Sequence, residues 1–192
     1  MKNKEIIIIS AVILIYTVIS FINLGSLKNP QSFWRSEYSS DEVILELEDD
    51  YVQKIKFYNG VEAGEYKLYT SLDGSNYIFF EDINKGNCFA WNQIKCDRYF
   101  KYIKIEAQSS DKYLGEIAFY DDKGNQIKVS TDNENGKFII DEQSIVPEKI
   151  SVMNSTYFDE VYHPNFAYKY VNGMQLYDVH PPLRKINHSF WN

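Results

Sequence analysis

Gly64-Glu65-Tyr66-Lys67-Leu68-Tyr69-Thr70-Ser71-Leu72-Asp73-Gly74-Ser75-Asn76-Tyr77 decides the fold. Tyr66 and Leu68 fall on one face of an extended chain and Lys67 on the other, and Asp73-Gly74 then supplies a tight turn. The same texture continues on both sides. Val43-Leu45-Leu47, Ile55-Phe57, Ile103-Ile105 and Ile117-Phe119 alternate with polar neighbours, while Asn59-Gly60, Lys85-Gly86-Asn87 and Lys123-Gly124-Asn125 punctuate them. Several short strands with turns between them, and no helical period from about Phe33 to Val129, predict a mainly β, antiparallel sandwich whose sheets share one core. Residues 130–150 are polar and turn-rich, and they read as a linker with one further strand at Phe138-Ile139-Ile140.

The whole chain has 192 residues, 27 of them acidic and 20 basic, for a net charge of -7. That is enough for one domain of ordinary size. An acidic surface supplies no field to hold a phosphate backbone, so a nucleic-acid partner is excluded. Charged residues at 24% and apolar ones at 44% are the proportions of a folded chain, which sets aside a disordered tail or a collagen. Two cysteines are too few for a disulfide scaffold.

Ahead of the sandwich, Lys2 and Lys4 precede a run without formal charge from Ile6 to Leu27, 22 residues that open on four isoleucines. As a helix the run would be about 33 Å long, against roughly 30 Å of bilayer hydrocarbon. Residues 6–27 are therefore expected to form an uncleaved transmembrane anchor, with residues 1–5 cytoplasmic and the main domain outside a cell membrane. A cleaved signal peptide would have a shorter apolar region and a small-x-small exit, where this chain has Phe21-Ile22-Asn23-Leu24-Gly25. A buried core helix is the third reading. Beyond the anchor, 18 basic and 26 acidic residues remain, a surface that anionic lipid would not attract. Cys88 and Cys96 lie in that exported part, where a disulfide is chemically possible; two buried thiols fit equally well. No histidine or third cysteine accompanies them, so a zinc site is not expected.

Within 31–129, Phe57-Tyr58-Asn59-Gly60, the 64–77 stretch, Arg98-Tyr99-Phe100-Lys101-Tyr102-Ile103-Lys104-Ile105 and Leu114-Gly115-Glu116-Ile117-Ala118-Phe119-Tyr120-Asp121 follow one another in an order that resembles the discoidin, or coagulation factor 5/8 type C, domain. The resemblance covers about 100 residues. It implies jelly-roll topology and binding of carbohydrate or lipid headgroups through loops at one end. Trp34 and Trp91 are the ligand-binding candidates, because a ring face stacks on the apolar C–H surface of a sugar. The competing reading has them plugging the two ends of the core. Calcium is common in that family, but Asp49-Asp50 and Asp121-Asp122 read as solvated turn acids, and neither a metal nor a cofactor is expected.

The texture changes again after 150. Tyr157-Phe158-Asp159-Glu160-Val161-Tyr162-His163, then Tyr177-Asp178-Val179-His180-Pro181-Pro182-Leu183-Arg184-Lys185, resemble the first external loop of protein O-mannosyltransferases and related polyprenyl-phosphate-sugar glycosyltransferases of the GT39 type. In that family Y-F-D-E-x-Y-H leads into an amphipathic helix on the membrane, and H-P-P-L-G-K follows. The match, from Met153 to Lys185, implies that Asp159 is the carboxylate taking the acceptor proton, that Glu160 supports it, and that His163 and His180 stand near the donor phosphate. It further implies a polyprenyl-phosphate sugar and a protein acceptor as partners. Without the resemblance an adjacent acid pair is a solvated surface feature, and neighbours on a helix point about 100° apart. Arg184 replaces the family's glycine, Asp178-Val179 replaces its aromatic and threonine, and Pro164 enters a helical position.

Residues 151–192 thus read as the first-external-loop segment of such an enzyme, cut short, since no second apolar span follows Lys185. The expected function is that of a truncated, membrane-anchored glycosyltransferase relative that is not catalytically competent alone. The alternative is a cell-surface carbohydrate-binding module with a glycan ligand and no enzymatic role.

Overall fold

The alternation becomes two antiparallel sheets in a computed structural model that describes residues 3–20, 22, 28–61, 64–84, 87–156 and 161–174. An N-terminal helix α1 (Asn3–Ser20) precedes strands β1 (Trp34–Arg35), β2 (Glu42–Leu47), β3 (Tyr51–Asn59), β4 (Tyr66–Ser71), β5 (Ile78–Ile83), β6 (Ala90–Tyr99), β7 (Tyr102–Ala107), β8 (Tyr113–Tyr120), β9 (Gln126–Ile127) and β10 (Val129–Ser130), and a second helix α2 (Tyr162–Val171) follows. Sheet A runs β1-β8-β3-β6, with β9 also paired to β8; sheet B runs β10-β2-β7-β4-β5. From β2 to β8 the chain changes sheet at every connection except the β4–β5 hairpin. That hairpin is set by the Asp73-Gly74 turn, where Gly74 has φ +72° and the Asp73 carboxylate accepts from the backbone N–H groups of Ser75 and Asn76.

Between the sheets, Val43, Leu45 and Leu47 of β2, Ile103 and Ile105 of β7 and Leu68 of β4 face Ile55 and Phe57 of β3 and Ile117 and Phe119 of β8, all at most 2% exposed. These are the apolar positions of the period-two pattern, and their burial is the main driving force for the fold.

Sheet A is covered on its other face as well, and every residue of β8 is buried. The covering chain comes from the stretch expected to be a linker. Residues 131–156 lie against the sandwich, and Phe138-Ile139-Ile140 forms no strand: Asn135–Ile139 is a 3₁₀ turn. The physical reason is local. The Asn133 side chain accepts from the backbone N–H groups of Asn135 and Gly136, closing the turn, and Ile139 inserts into the core. Only glycine fits at 136, since a Cβ there would meet Val43 Cγ1 at 2.7 Å. Gly115 also has to be small. What approaches it is the rings of Tyr58 and Phe33 and the side chain of Pro30 rather than another backbone.

Lys56 fastens this cover. Its side chain is buried on the outer face of sheet A, its Nζ donates to the carbonyl oxygens of Pro147 at 2.5 Å and Glu148 at 2.9 Å, and it sits 4.6 Å from the centre of the Tyr120 ring. Burial and the neighbouring Lys54 lower its affinity for a proton.

In α1, the side chains from Lys4 to Ser20 are all exposed, including Ile6 to Ile9 and Ile13 to Ile15. Among the described residues no helix is long and apolar enough to cross a membrane. Phe21 and residues 23–27, the last part of the expected span, lie outside the described residues.

Replacing Lys56 by alanine removes two charge-assisted hydrogen bonds and the packing of the stem. It is expected to cost about 1–3 kcal/mol, read as a lower midpoint of thermal unfolding and faster proteolysis near residues 147–150.

Candidate functional site

Two groups of functional candidates were nominated by sequence, and the structure treats them differently. Trp34 and Trp91 are each only 3% exposed. Trp34 belongs to the core between the sheets, its ring 5.7 Å from that of Tyr66. Trp91 lies on the other side of sheet A, 5.2 Å from Tyr58. Residues 150–156 cover it: Ser155 Oγ accepts from the Trp91 backbone N–H at 3.0 Å, and a recess of about 240 Å³ remains between them. Neither indole offers an open face to a sugar, which corrects their reading as stacking platforms. Sequence placed them at loop tips because bulky aromatics near turns suit either an exposed platform or a plug, and only packing separates the two.

Of the acid and histidine candidates, Asp159, Glu160 and His180 lie outside the described residues. His163 is in the first turn of α2, exposed. On either side of 157–160 the chain packs against one corner of sheet A. Thr156 donates its hydroxyl to the Cys88 carbonyl at 2.5 Å and its backbone N–H to the Phe89 carbonyl at 3.3 Å. On the other side α2 docks through Tyr168, whose ring centre lies 5.8 Å from Phe89, 6.1 Å from Phe33 and 6.2 Å from Tyr113. Phe33 belongs to the segment that enters the sandwich after α1. Aromatic edge-to-face packing of this kind stabilises a contact beyond its buried area. One corner of sheet A therefore gathers the entering segment, the Cys88-Phe89 turn and both flanks of the Asp159-Glu160 pair. Asn165 of α2 also contacts Cys88, donating from its amide to Sγ at 3.8 Å. Both cysteines are free thiols, and burial pushes Cys96 up to about 12.

A third cluster was not anticipated. Glu116 of β8 is fully buried, and its carboxylate lies with those of Asp141 and Glu142 so that one oxygen of each falls within 4.8 Å of the others, the separation a divalent cation could bridge. These oxygens already accept hydrogen bonds from the chain. Glu116 takes the backbone N–H of Glu142 at 2.7 Å and the amide of Gln143. Glu142 takes the N–H of Gln31 at 2.7 Å and of Ser32 at 3.2 Å, and Ser32 Oγ donates to Asp141 at 2.8 Å. The cluster ties the entering segment, the 141–143 turn and β8 together, and a cation would have to displace those ties. It works as a latch. The turn acids Asp73 and Asp121 are likewise committed to backbone and asparagine donors, which hold Asp73 well below the usual carboxylate range and lower Asp121 too.

Sequence reasoning also passed over the outward residues of sheet B, among them Glu42, Glu46 and Tyr102, which line a groove of about 310 Å³. The signal was present as the complement of the inward alternation. Comparison with known proteins adds nothing to these assignments: no protein-family model matches the chain, and no curated protein matches it.

Burial raises Glu116 from its ordinary 4.5 to about 7, against the two hydrogen bonds that favour its charged form. Because the folded value is the higher one, its contribution to stability is complete below about pH 4.5 and is lost as pH rises through 7. In Glu116→Gln that slope is expected to disappear, a difference on the order of 3 kcal/mol between the ends of the window, measured by denaturant unfolding of both proteins from pH 4.5 to 7.5.

Proposed function

We propose that the chain is a membrane-anchored relative of the polyprenyl-phosphate-sugar glycosyltransferases, in which a discoidin-type jelly-roll domain holds the Asp159-Glu160 segment close to the membrane from which it is suspended. The observation that carries the reading is the aromatic corner. Phe33, just after the anchor, and Tyr168, just after the acid pair, touch the same Phe89 and Tyr113 rings. An acidic loop that serves a lipid-borne sugar has to sit near the bilayer, and this contact ties α2, which follows the acid pair in sequence, to the segment leading from α1. The anchor reading is supported by α1 itself, whose isoleucine side chains are exposed on every side. A helix apolar all round is stable only inside a protein or a bilayer.

On this reading Asp159 takes the proton of an acceptor hydroxyl as the bond from the sugar to phosphate breaks, with Glu160, His163 and His180 in supporting places. One anchoring helix cannot enclose a polyprenyl chain, so on this reading transfer needs further membrane helices around it. The N-terminus is cytoplasmic and the sandwich faces outward. A second reading, a carbohydrate-binding module, is favoured by a different observation, the groove on sheet B that combines rings with carboxylates.

After an alkaline carbonate wash the full chain is expected to stay with the membrane pellet, while a chain starting at Lys28 stays in the supernatant; a washed-off full chain overturns the anchor. In the same membranes a photoreactive polyprenyl phosphate is expected to label the 153–185 segment, and absence of labelling there overturns the link to lipid-sugar chemistry. Mannose transfer from polyprenyl-phosphate mannose by the reconstituted chain alone is expected to be nil. Turnover that Asp159→Asn abolishes would show a self-sufficient site instead.

A further inference from the structure

Strands β5 and β6 each end a sheet, and both ends lie on one side of the sandwich. The guanidinium carbon of Arg98 on β6 stands 4.8 Å from the centre of the Phe80 ring on β5. The two strands run in opposite directions. Ile83, the last residue of β5, leads through a short connection to Ala90, the first of β6. Ile78, the first residue of β5, lies opposite Thr70, and the carbonyl of the adjacent Ser71 accepts from the N–H of Lys101, just after β6.

The core reaches the surface along this side. Phe80 and Ile94 pack against it while only partly buried, and beside them Ile78 is 70% exposed and Phe79 49%. On the free flank of β6 the chain adds a single rung of its own, the bridge between Ser155 and Ala90, because the residues before Ser155 are wound into the capped 3₁₀ turn Val152–Asn154. From Asn92 to Tyr99, β6 has β3 on one flank and no strand on the other among the described residues. An open strand edge is a template for another strand.

Charge decides which strand fits. Glu81 and Asp82 of β5 make no hydrogen bond or ion pair among the described residues. Arg98 of β6 has no carboxylate partner there either, its guanidinium lying on Phe80. Lys95 is held only by Asp97, at 2.6 Å with 82% of the lysine side chain exposed, a pairing that contributes little. The edge of β5 thus offers acid and that of β6 offers base. Register puts them on matching faces: Glu81 lies opposite the buried Leu68 and Arg98 opposite the buried Val52, whereas Asp82 and Lys95 lie opposite Lys67 and Lys54 on the outer faces.

A two-fold axis parallel to the strands at this side lays β5 of each copy antiparallel to β6 of the other. Such an axis makes no shift along the strands, so the level shared by Phe80 and Arg98 is kept, Glu81 meets Arg98 on the inner face and Asp82 nears Lys95 on the outer one. Ile78, Phe80 and Ile94 of both copies close against one another. An axis across the strands would instead put β5 on β5 and β6 on β6, acid against acid and base against base. The parallel axis also leaves both Phe33 corners at the same end, where β3 stops and β6 starts, so two chains anchored in one membrane can form the pair.

We propose that the chain forms a two-fold dimer in which the acidic edge of β5 pairs with the basic edge of β6 of a second copy, joining the two sandwiches edge to edge.

The test is sedimentation equilibrium of the full chain in detergent micelles, where two copies per particle are expected. Glu81→Lys with Asp82→Lys makes both edges basic, and Lys95→Glu with Arg98→Glu makes both acidic. Each double variant is expected to raise the dissociation constant at least about tenfold, and an equal mixture of the two to restore the dimer, because their edges are again complementary. All four positions are exposed, and circular dichroism checks that each variant is folded. A monomeric wild-type chain overturns the proposal. A dimer that either variant leaves intact overturns it too, since that contact would belong to α1 or another surface, as does a mixture no tighter than its components.

Discussion

Strand β8 is buried along its whole length, and much else in the structure answers to that constraint. A strand of a two-layer sandwich ordinarily buries every second residue and leaves the others to water. Here the outward positions of sheet A include Glu116 and Lys56, both buried, so whatever lies over them has to satisfy a carboxylate and an ammonium as well as exclude water. The chain solves this with its own backbone. Glu116 meets the N–H of Glu142, and Lys56 meets the carbonyls of Pro147 and Glu148, the two ends of one covering segment with complementary main-chain polarity. Neither group has a counter-ion of opposite sign as its main partner, and each is perturbed in the direction that burial dictates.

The cover then organises the corner beside it. Gly115, next to Glu116 on β8, admits Pro30 and Phe33, and Phe33 is the ring against which α2 docks through Tyr168. A side chain at 115 would press on the entering segment, and with it on the aromatic contact through which α2 docks. The latch and the corner are thus coupled through two adjacent residues of one strand. Gln31 and Ser32 depend on this latch directly, because those two residues hang on Glu142 while the inward side chains of β8 do not.

The inward half of the sandwich was legible in the sequence. Val43, Leu45, Leu47, Ile103, Ile105, Ile117 and Phe119 carry a strict period of two, and hydrophobic burial admits only one assignment of their faces. Asp73-Gly74 was equally plain. The cover was not, because Thr131 to Pro147 is polar and rich in turn formers, and such a stretch looks the same whether it lies in water or uses its backbone to satisfy Glu116 and Lys56. Phe138-Ile139-Ile140 shows how far local pattern reaches: three apolar residues suggested a strand, and the Asn133 side-chain bonds with a sterically confined Gly136 set a 3₁₀ turn at Asn135–Ile139 instead. The tryptophans mark the opposite failure. Ring chemistry suited them to a sugar, but exposure is a property of the fold, and both are inside.

The two surfaces that remain for function lie on different sheets. The Phe33–Tyr168 corner belongs to sheet A, whereas the Tyr102 groove belongs to sheet B and to residues 130–133. One segment links them: Thr131 and Asn133 hold it to β2, while further along the chain the Glu142 N–H donates to Glu116 of β8.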